Sequence, residues 1–238
     1  MKILITGGSG LLGQYLNLTL SKSFRILTTF HSDTGNCIDY NSIQLDITNR
    51  KNIGSIINLY RPDVVIHAAA IADPQLSGSL DPGFVYKTNV TATKNISELC
   101  DKFSAKLIYI SSDLVYADYR GSMLKEDAKL IPASLYAETK LMAEVKIRET
   151  FDNFLILRSA LLYGFGIGRR KNHFQLMYDN FRNNKPVKLF YDQYRTPLSF
   201  SESARIIDQL ANSDIKGEII NMGGKDRVSR VEMGGAKS

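Results

Sequence analysis

Tyr136 and Lys140 stand four residues apart in Ser134-Leu135-Tyr136-Ala137-Glu138-Thr139-Lys140, a segment whose composition reads as helix. Residues at that separation lie one turn apart on the same helical face. An ammonium beside a phenol favours the phenolate, so a tyrosine starting near pKa ~10 becomes a usable proton donor or acceptor nearer neutrality. That chemistry suits a carbonyl group and needs no metal. Because Tyr–Lys pairs also occur on ordinary solvated helices, the meaning of this one depends on what the chain places beside it. Ser111 and Ser112 close the apolar run 106–110, which reads as a buried strand. A serine at the carboxyl end of a central strand lies where open α/β sheets bind ligands, and its hydroxyl can donate to a carbonyl oxygen.

The elements that must position these groups begin at the N-terminus. Residues 2–6 are a short aliphatic and β-branched run that leads into Gly7-Gly8-Ser9-Gly10-Leu11-Leu12-Gly13, and an apolar helical pattern follows through Leu16 and Leu20. Strand, glycine-rich turn and helix in that order form the phosphate-binding start of a doubly wound sheet. Glycines allow the tight turn and close approach, and the helix N-terminus attracts a pyrophosphate. Gly7, Ser9, Gly10, Leu11, Leu12 and Gly13 are therefore candidate cofactor contacts. Residues 25–30 read as a second strand ending beside the adenosine ribose. No acid stands there to take a ribose hydroxyl: the chain has Thr29-Phe30-His31-Ser32, with Asp33 slightly late. This favours NADPH, with His31 and Ser32 near the 2′-phosphate, and leaves NADH open should the turn bring Asp33 back.

A third strand is expected over 43–47, ending in Asp46-Ile47, and a helix over 49–60. By its position Asp46 could cap that helix. Residues 63–67 read as a parallel strand buried on both faces, running into Ala68-Ala69-Ala70, whose small side chains let a cofactor lie against the backbone. His67 reads as a packing residue. A helical span over 82–103 carries Asn89, placed to brace adjoining strands or to contact the cofactor. After a sixth strand at 154–158, Leu161-Leu162-Tyr163-Gly164 leads into a glycine-containing loop, and the pattern changes. A helix over 170–183, a short strand, a polar turn-rich stretch at 192–197, a helix over 201–211 capped by Ser201 or Ser199, and a last strand at 219–221 follow. The expected fold is α/β, a Rossmann-like doubly wound parallel sheet. Residues 1–160 form the NAD(P)-binding domain, and residues 161–238 a small substrate-binding lobe interleaved with it.

The 238 residues are 44% hydrophobic and 23% charged, enough for one large core. A net charge of +6 favours anionic ligands. The cations are scattered, however, with Arg169-Arg170-Lys171 the only compact run, so a phosphate-bearing small molecule fits better than nucleic acid. Cys37 and Cys100 lie far apart and read as free thiols, and His31, His67 and His173 are too dispersed for a metal site. No stretch approaches the ~20 apolar residues that cross a bilayer, and no signal peptide is visible; a cytoplasmic protein, by default a homodimer, is expected.

Together, the glycine turn in its G-x-x-G-x-x-G spacing, Asp46-Ile47, His67-Ala68-Ala69-Ala70, Ser111-Ser112-Asp113-Leu114-Val115-Tyr116 and Tyr136-Ala137-Glu138-Thr139-Lys140 resemble the extended short-chain dehydrogenase/reductases. Within them, the Ser-Ser-Asp-x-Val-Tyr segment, the Tyr-x-x-Thr-Lys-x-x-x-Glu helix and Asp192-Gln193-Tyr194-Arg195-Thr196-Pro197 resemble the dTDP-4-dehydrorhamnose reductases. The resemblance implies reduction of a 4-keto group on a nucleotide-activated deoxysugar. Ser112 would orient the keto oxygen, Tyr136 supply the proton, and Lys140 lower the tyrosine pKa and hold the nicotinamide ribose, with NADPH as hydride donor. It also implies that Asp46 and Ile47 contact the adenine and that Ser111 lies against the cofactor. Asp113, Val115, Tyr163 and Arg195 would meet the substrate, with Arg195 and the 169–171 cluster candidates for its diphosphate. Two other readings share the same motifs. One is an NADP-binding regulatory subunit without turnover, as in the β subunit of methionine adenosyltransferase; the other is a nucleotide-sugar epimerase. The chain ends at Ser238, earlier than the family pattern, so a shortened substrate lobe is expected.

Overall fold

Continuous apolar runs build strands buried on both faces, and here they form the centre of the molecule. The computed structural model describes residues 1–116, 124–167 and 172–235, so the basic run 169–171 and Gly168 lie outside the described residues. In chain order the first elements are β1 (Lys2–Thr6), α1 (Leu11–Leu20), β2 (Arg25–Phe30), β3 (Ser42–Gln44), α2 (Arg50–Tyr60) and β4 (Val64–His67). Next come α3 (Pro74–Ser79), α4 (Pro82–Tyr86), α5 (Ala92–Lys102), β5 (Lys106–Ser112), α6 (Leu135–Arg148), β6 (Phe154–Ser159) and β7 (Leu162–Tyr163). The last are α7 (His173–Arg182), β8 (Tyr194–Arg195), β9 (Leu198–Ser199), α8 (Phe200–Ala211), β10 (Glu218–Met222), β11 (Val228–Ser229) and α9 (Arg230–Met233).

Seven strands make one parallel sheet in the order β10-β6-β5-β4-β1-β2-β3. The chain winds outward from β1 through β2 to β3, then crosses back to β4 and winds the other way. The order reverses between β1 and β4, so a crevice opens outside their carboxyl ends. Alternate residues of each strand serve opposite layers. Leu4, Val65, Leu107 and Ile156 pack under α2, α5 and α6, through Ile53, Ile96 and Ala143 among others. Ile3, Ile5, Ile66, Ile108 and Leu157 pack under α1 and α8, through Leu16, Leu20, Ala204 and Ile207.

Three elements depart from expectation. The third strand is only Ser42–Gln44, because it forms an edge and Leu45 already turns into the core. The helical span from Pro82 is interrupted by a π turn at Lys87–Thr91, a widening that favours unusual side-chain placement. The strand expected before residue 192 is not formed. Instead β8 pairs antiparallel with β11, and β7 pairs parallel with β9. The later third also returns to the main layers: Ser199 caps α8, which lies on the α1 face, and β10 extends the sheet beyond β6.

Candidate active site

The turn after β1 is shaped by what it leaves no room for. Gly7 has φ +76°, and a Cβ there would lie 2.7 Å from the Ala69 backbone; one on Gly13 would lie 2.2 Å from the Gly7 carbonyl oxygen. Gly10 occupies the N-cap of α1 with no side-chain cap, and the first turn holds no acid. The first amides of α1 thus lack a side-chain partner, which fits the pyrophosphate of a dinucleotide. Leu12 packs into the core and Leu11 against it, so their side chains serve the fold. Ser9 is also buried.

A brace under this turn escaped the sequence reading. Gln14 Nε2 donates to the Ser9 carbonyl at 2.8 Å, and Asn17 Nδ2 donates to the Gly8 carbonyl at 3.1 Å and to Asn36 Oδ1 at 2.9 Å. Asn36 Nδ2 donates in turn to the Gln14 carbonyl at 3.0 Å. The available signal was two amides, Gln14 and Asn17, among the leucines of α1. This brace folds the segment after β2 back, so that a Cβ on Gly35 would lie 3.1 Å from Ser9.

At the adenosine end, His31 and Ser32 are exposed beyond β2, and Asp33 Oδ1 accepts from the Gly35 amide at 3.0 Å. Asp46 accepts from both the amide and the hydroxyl of Thr48, each at 2.8 Å. The cap of α2 is Asn49, which corrects the capping alternative for Asp46. Burial pushes the Asp46 carboxyl up, but the Thr48 bonds and the nearby charges of His31 and Lys87 outweigh it and leave it below its ordinary value. Ile47 is a core residue. Ala68, Ala69 and Ala70 are half-buried beside the glycine turn. Asn89, in the π turn, accepts from the Ile71 amide at 2.9 Å and donates to the Ile71 carbonyl at 3.2 Å and to Thr139 Oγ1 at 3.1 Å. Of its two expected roles, bracing is the one its side-chain bonds perform.

The candidate reacting groups gather at the carboxyl end of β5. Ser134 caps α6, accepting from the Ala137 amide at 3.2 Å, and so sets the phase that buries Tyr136 and Lys140 on the sheet side. Ser112 Oγ accepts from the Leu114 amide at 3.2 Å. Burial pushes the Tyr136 phenol up to about 12; the Ser112 hydroxyl opposes this, Asp113 adds to it and Arg195 opposes it. Burial also pushes the Lys140 ammonium down to about 7, against the pull of Glu144. The expected drift of the tyrosine toward neutrality is therefore reversed in the protein as it stands, because desolvation outweighs charge.

Ser111 points to the opposite face of β5 from Ser112, as strand alternation requires, and donates to Glu144 Oε1 at 2.5 Å, so its hydroxyl is engaged within the protein. Val115 is fully buried, because the 3₁₀ turn Asp113–Val115 rotates it inward, and it cannot touch a substrate. Asp113 and Arg195 are paired with each other, the guanidinium donating to both carboxylate oxygens at 2.6 and 2.8 Å. This bond ties the end of β5 to β8. Arg230, half-buried at the start of α9, is pushed down by burial and by Arg195, with Asp113 opposing, so it stands at the same mouth. Arg230 is not among the candidate residues named from the sequence. Tyr163 packs on Phe174 with ring centroids 5.5 Å apart. Among the described residues no cluster of His, Cys, Asp and Glu could hold a metal, and no helix is long and apolar enough to cross a membrane.

A glycine cradle at the switch point, with Ser112, Tyr136 and Lys140 at the neighbouring strand end, is matched by one family over residues 1–236, the RmlD substrate binding domain. The chain belongs to that family. Relatives of two kinds are among those it resembles. Methionine adenosyltransferase 2 subunit beta of Xenopus tropicalis is 28% identical over 239 residues, covering 98% of this chain and 70% of that protein. A dTDP-4-dehydrorhamnose reductase of Aggregatibacter actinomycetemcomitans is 26% identical, covering 93% and 71%. The crystal structure of a hypothetical dTDP-4-dehydrorhamnose reductase from Sulfolobus tokodaii is 28% identical, with a TM-score of 0.86 over 98% of this chain and 80% of that one. The RmlD chain described here thus spans about 70% of the length of those curated relatives.

Proposed function

We propose that this RmlD-family chain is an oxidoreductase that reduces the 4-keto group of a nucleotide-activated deoxysugar with NADPH, as its dTDP-4-dehydrorhamnose reductase relatives are named for doing. The observation that carries this reading is the convergence of Ser112, Tyr136 and Lys140 at the carboxyl end of β5, on the same side of the sheet where the glycine turn opens. The bound reduced nicotinamide supplies the hydride for the carbonyl carbon. The Ser112 hydroxyl donates to the keto oxygen and holds it. Tyr136 transfers its phenolic proton to that oxygen as the alcohol forms. A phenol held near 12 is fully protonated at neutral pH, the state that a reduction requires. Lys140 lies one turn further along α6, where its ammonium stabilises the phenolate left behind and binds the nicotinamide ribose.

Gly7, Gly10, Gly13 and the first amides of α1 hold the pyrophosphate, with His31, Ser32 and Asp46 at the adenosine. Arg195, Arg230 and Tyr163 line the substrate side, Asp113 orients Arg195, and residues 161–238 provide that side of the site. Cytoplasmic placement, where NADPH and nucleotide sugars are made, belongs to the same reading.

The test is NADPH oxidation, followed at the reduced-nicotinamide absorbance with and without a dTDP-4-dehydro-6-deoxysugar, with NADH in parallel. Oxidation that depends on the sugar supports the reading and reports the cofactor preference. The likeness to methionine adenosyltransferase 2 subunit beta favours one alternative, an NADP-binding subunit without turnover. NADPH that binds but is never consumed would make it the better account.

A further inference from the structure

Behind Lys140 lies a charge arrangement that the reaction just described does not use. Glu144 follows Lys140 by one helical turn and is equally buried, yet among the described residues no ion pair joins the two. Its carboxylate is held from the other side. Arg158 Nη2 donates to Oε2 at 2.8 Å, Arg158 Nε donates to both oxygens at 3.2 Å, and Ser111 donates to Oε1 at 2.5 Å. Among the described residues, Arg158 heads the largest fully buried side chains. It is fixed by Tyr116 Oη at 2.7 Å and the Glu126 carbonyl at 2.9 Å, and Tyr116 donates to Asn221 Oδ1 at 2.9 Å. The Lys140 Nζ instead lies 4.2 Å from the centroid of the Tyr109 ring, which presents a π face and no anion.

A buried ion pair is weak evidence for stability, since well-packed apolar residues serve as well or better. This one therefore calls for another role, and its position supplies one. A carboxylate one turn from a lysine ordinarily captures the ammonium. With its oxygens occupied by Arg158 and Ser111, Glu144 lends Lys140 a negative field without taking its hydrogen-bond donors.

We propose that Arg158 and Ser111 pin the Glu144 carboxylate so that it keeps Lys140 charged without capturing it, leaving the ammonium on the Tyr109 ring available to the ligand. Glu144, Arg158, Ser111 and Tyr109 are thus positioning residues for Lys140. This inference rests on the reductase reading only for its consequence in catalysis.

The groups facing Lys140 allow a clean titration. On α6 they are Tyr136 and Glu144, on β5 Tyr109 and Ser111, on β4 His67, and on β6 Arg158 behind Glu144. Burial pushes the Tyr136 phenol up to about 12 and the His67 imidazole down to about 3, so neither is expected to change charge between pH 5 and pH 9.

The experiment follows the Lys140 resonance by NMR against pH in the full chain labelled with [ε-13C]lysine, without cofactor. Glu144→Gln is expected to lower the Lys140 midpoint by about one pH unit, a tenfold change in its proton affinity. Glu144→Gln leaves Arg158 buried without its partner and can unfold the chain. The double variant Glu144→Gln/Arg158→Met removes both charges and is expected to lower the midpoint by less, because the Arg158 charge that opposes the ammonium is removed as well. Arg158→Met alone frees the carboxylate to close on Lys140, so the midpoint should rise. NADPH affinity, read by fluorescence, should fall at pH 8 in the double variant by the same factor as the Lys140 proton affinity and stay within about twofold at pH 6. A double variant whose midpoint matches the parent overturns the proposal. A lowered midpoint in Arg158→Met overturns the pinning. Midpoints that move as expected in a chain that turns over no nucleotide sugar would sink the reductase reading and leave this inference standing.

Discussion

The glycine turn and the β5–α6 corner occupy the same crest of one sheet, yet they are built on opposite physics. At the turn, shape does the work: added side-chain atoms at Gly7 or Gly13 would strike backbone, and the groups proposed to bind are main-chain amides. At the corner, charge does the work. Tyr136, Lys140, Glu144 and Arg158 are all buried, and burial pushes the Tyr136 phenol up and the Lys140 ammonium down while Glu144 raises Arg158. A site made of shape should fail by losing the ligand, and a site made of charge by losing the reaction or its pH dependence.

Tyr136→Phe puts that distinction to its hardest test. It removes one oxygen from the charged corner and leaves the turn intact. Turnover should fall by about 10²–10⁴-fold, as for loss of a general acid. The dissociation constant for NADPH, measured by fluorescence, should stay within about twofold. Near-parental turnover would take the proton-donor role away from Tyr136; a large loss of NADPH affinity would mean that the two regions are not separable.

His67 lies where the regions meet and couples them through protons. Its Nδ1 pairs with Thr6 of β1 at 2.6 Å, and its Nε2 pairs with Thr93 Oγ1 at 2.9 Å. Because the Thr93 hydroxyl donates to the Asn89 carbonyl at 2.7 Å, Nε2 must be the donor and Nδ1 the acceptor from Thr6. This chain needs neutral imidazole, and burial, helped by the Lys140 charge, pushes the ring down to about 3 from 6.5. Between those values the unfolded chain binds a proton that the folded chain refuses. The stabilisation is thus complete above pH 6.5 and is lost as pH falls toward 3, on the order of 4 kcal/mol in full. The lowered carboxyls of Asp46 and Glu126 act below the ordinary carboxylate range, so pH 6.5 to 4.5 is mainly the His67 window. His173, lowered by burial and Arg230 and only partly buried, adds a smaller share there. In urea unfolding, His67→Gln should be less stable at pH 7 yet flatter across that window. An unchanged slope would refute the assignment.

These differences also explain what was legible in the sequence. The turn, the apolar strands and the Tyr136–Lys140 phase are local patterns, carried by glycine spacing, unbroken runs and a four-residue step, and the structure reproduces their geometry. Charge partners are not local. Ser111 reaches Glu144 across 33 residues, Tyr116 reaches Asn221 across 105, and Arg195 reaches Asp113 across 82, so only the tertiary fold brings them together. Val115 is a different case: it was carried over from the family resemblance, which does not show which way the 3₁₀ turn Asp113–Val115 rotates its side chain. Asn36 was missed because the partner that buries it, Asn17, lies on another element.

Gly13→Ala tests the shape side alone. Its Cβ would lie 2.2 Å from the Gly7 carbonyl and 2.7 Å from Gly8, so the turn must open against its own brace. A cost of about 1–3 kcal/mol in urea unfolding is expected, with NADPH affinity falling and the Lys140 titration unmoved. If affinity holds while the protein is destabilised, the turn does not carry the pyrophosphate.

Arg195→Ala should have the smallest effect, because its pair with Asp113 is partly solvated, with the two side chains 19% and 27% exposed. Such a pair contributes at most about 1 kcal/mol to stability. Its consequence should appear in the substrate alone: a raised KM for the nucleotide sugar, with kcat and NADPH affinity near those of the parent. Arg230 stands at the same mouth and should soften the loss. The double variant Arg195→Ala/Arg230→Ala is therefore expected to raise KM by more than the product of the two single effects. Independent, merely multiplicative effects would show that the two guanidinium groups do not share one anion. The substrate side would then resemble the glycine turn, a surface of separate contacts, and charge cooperation would be confined to the buried corner behind Lys140.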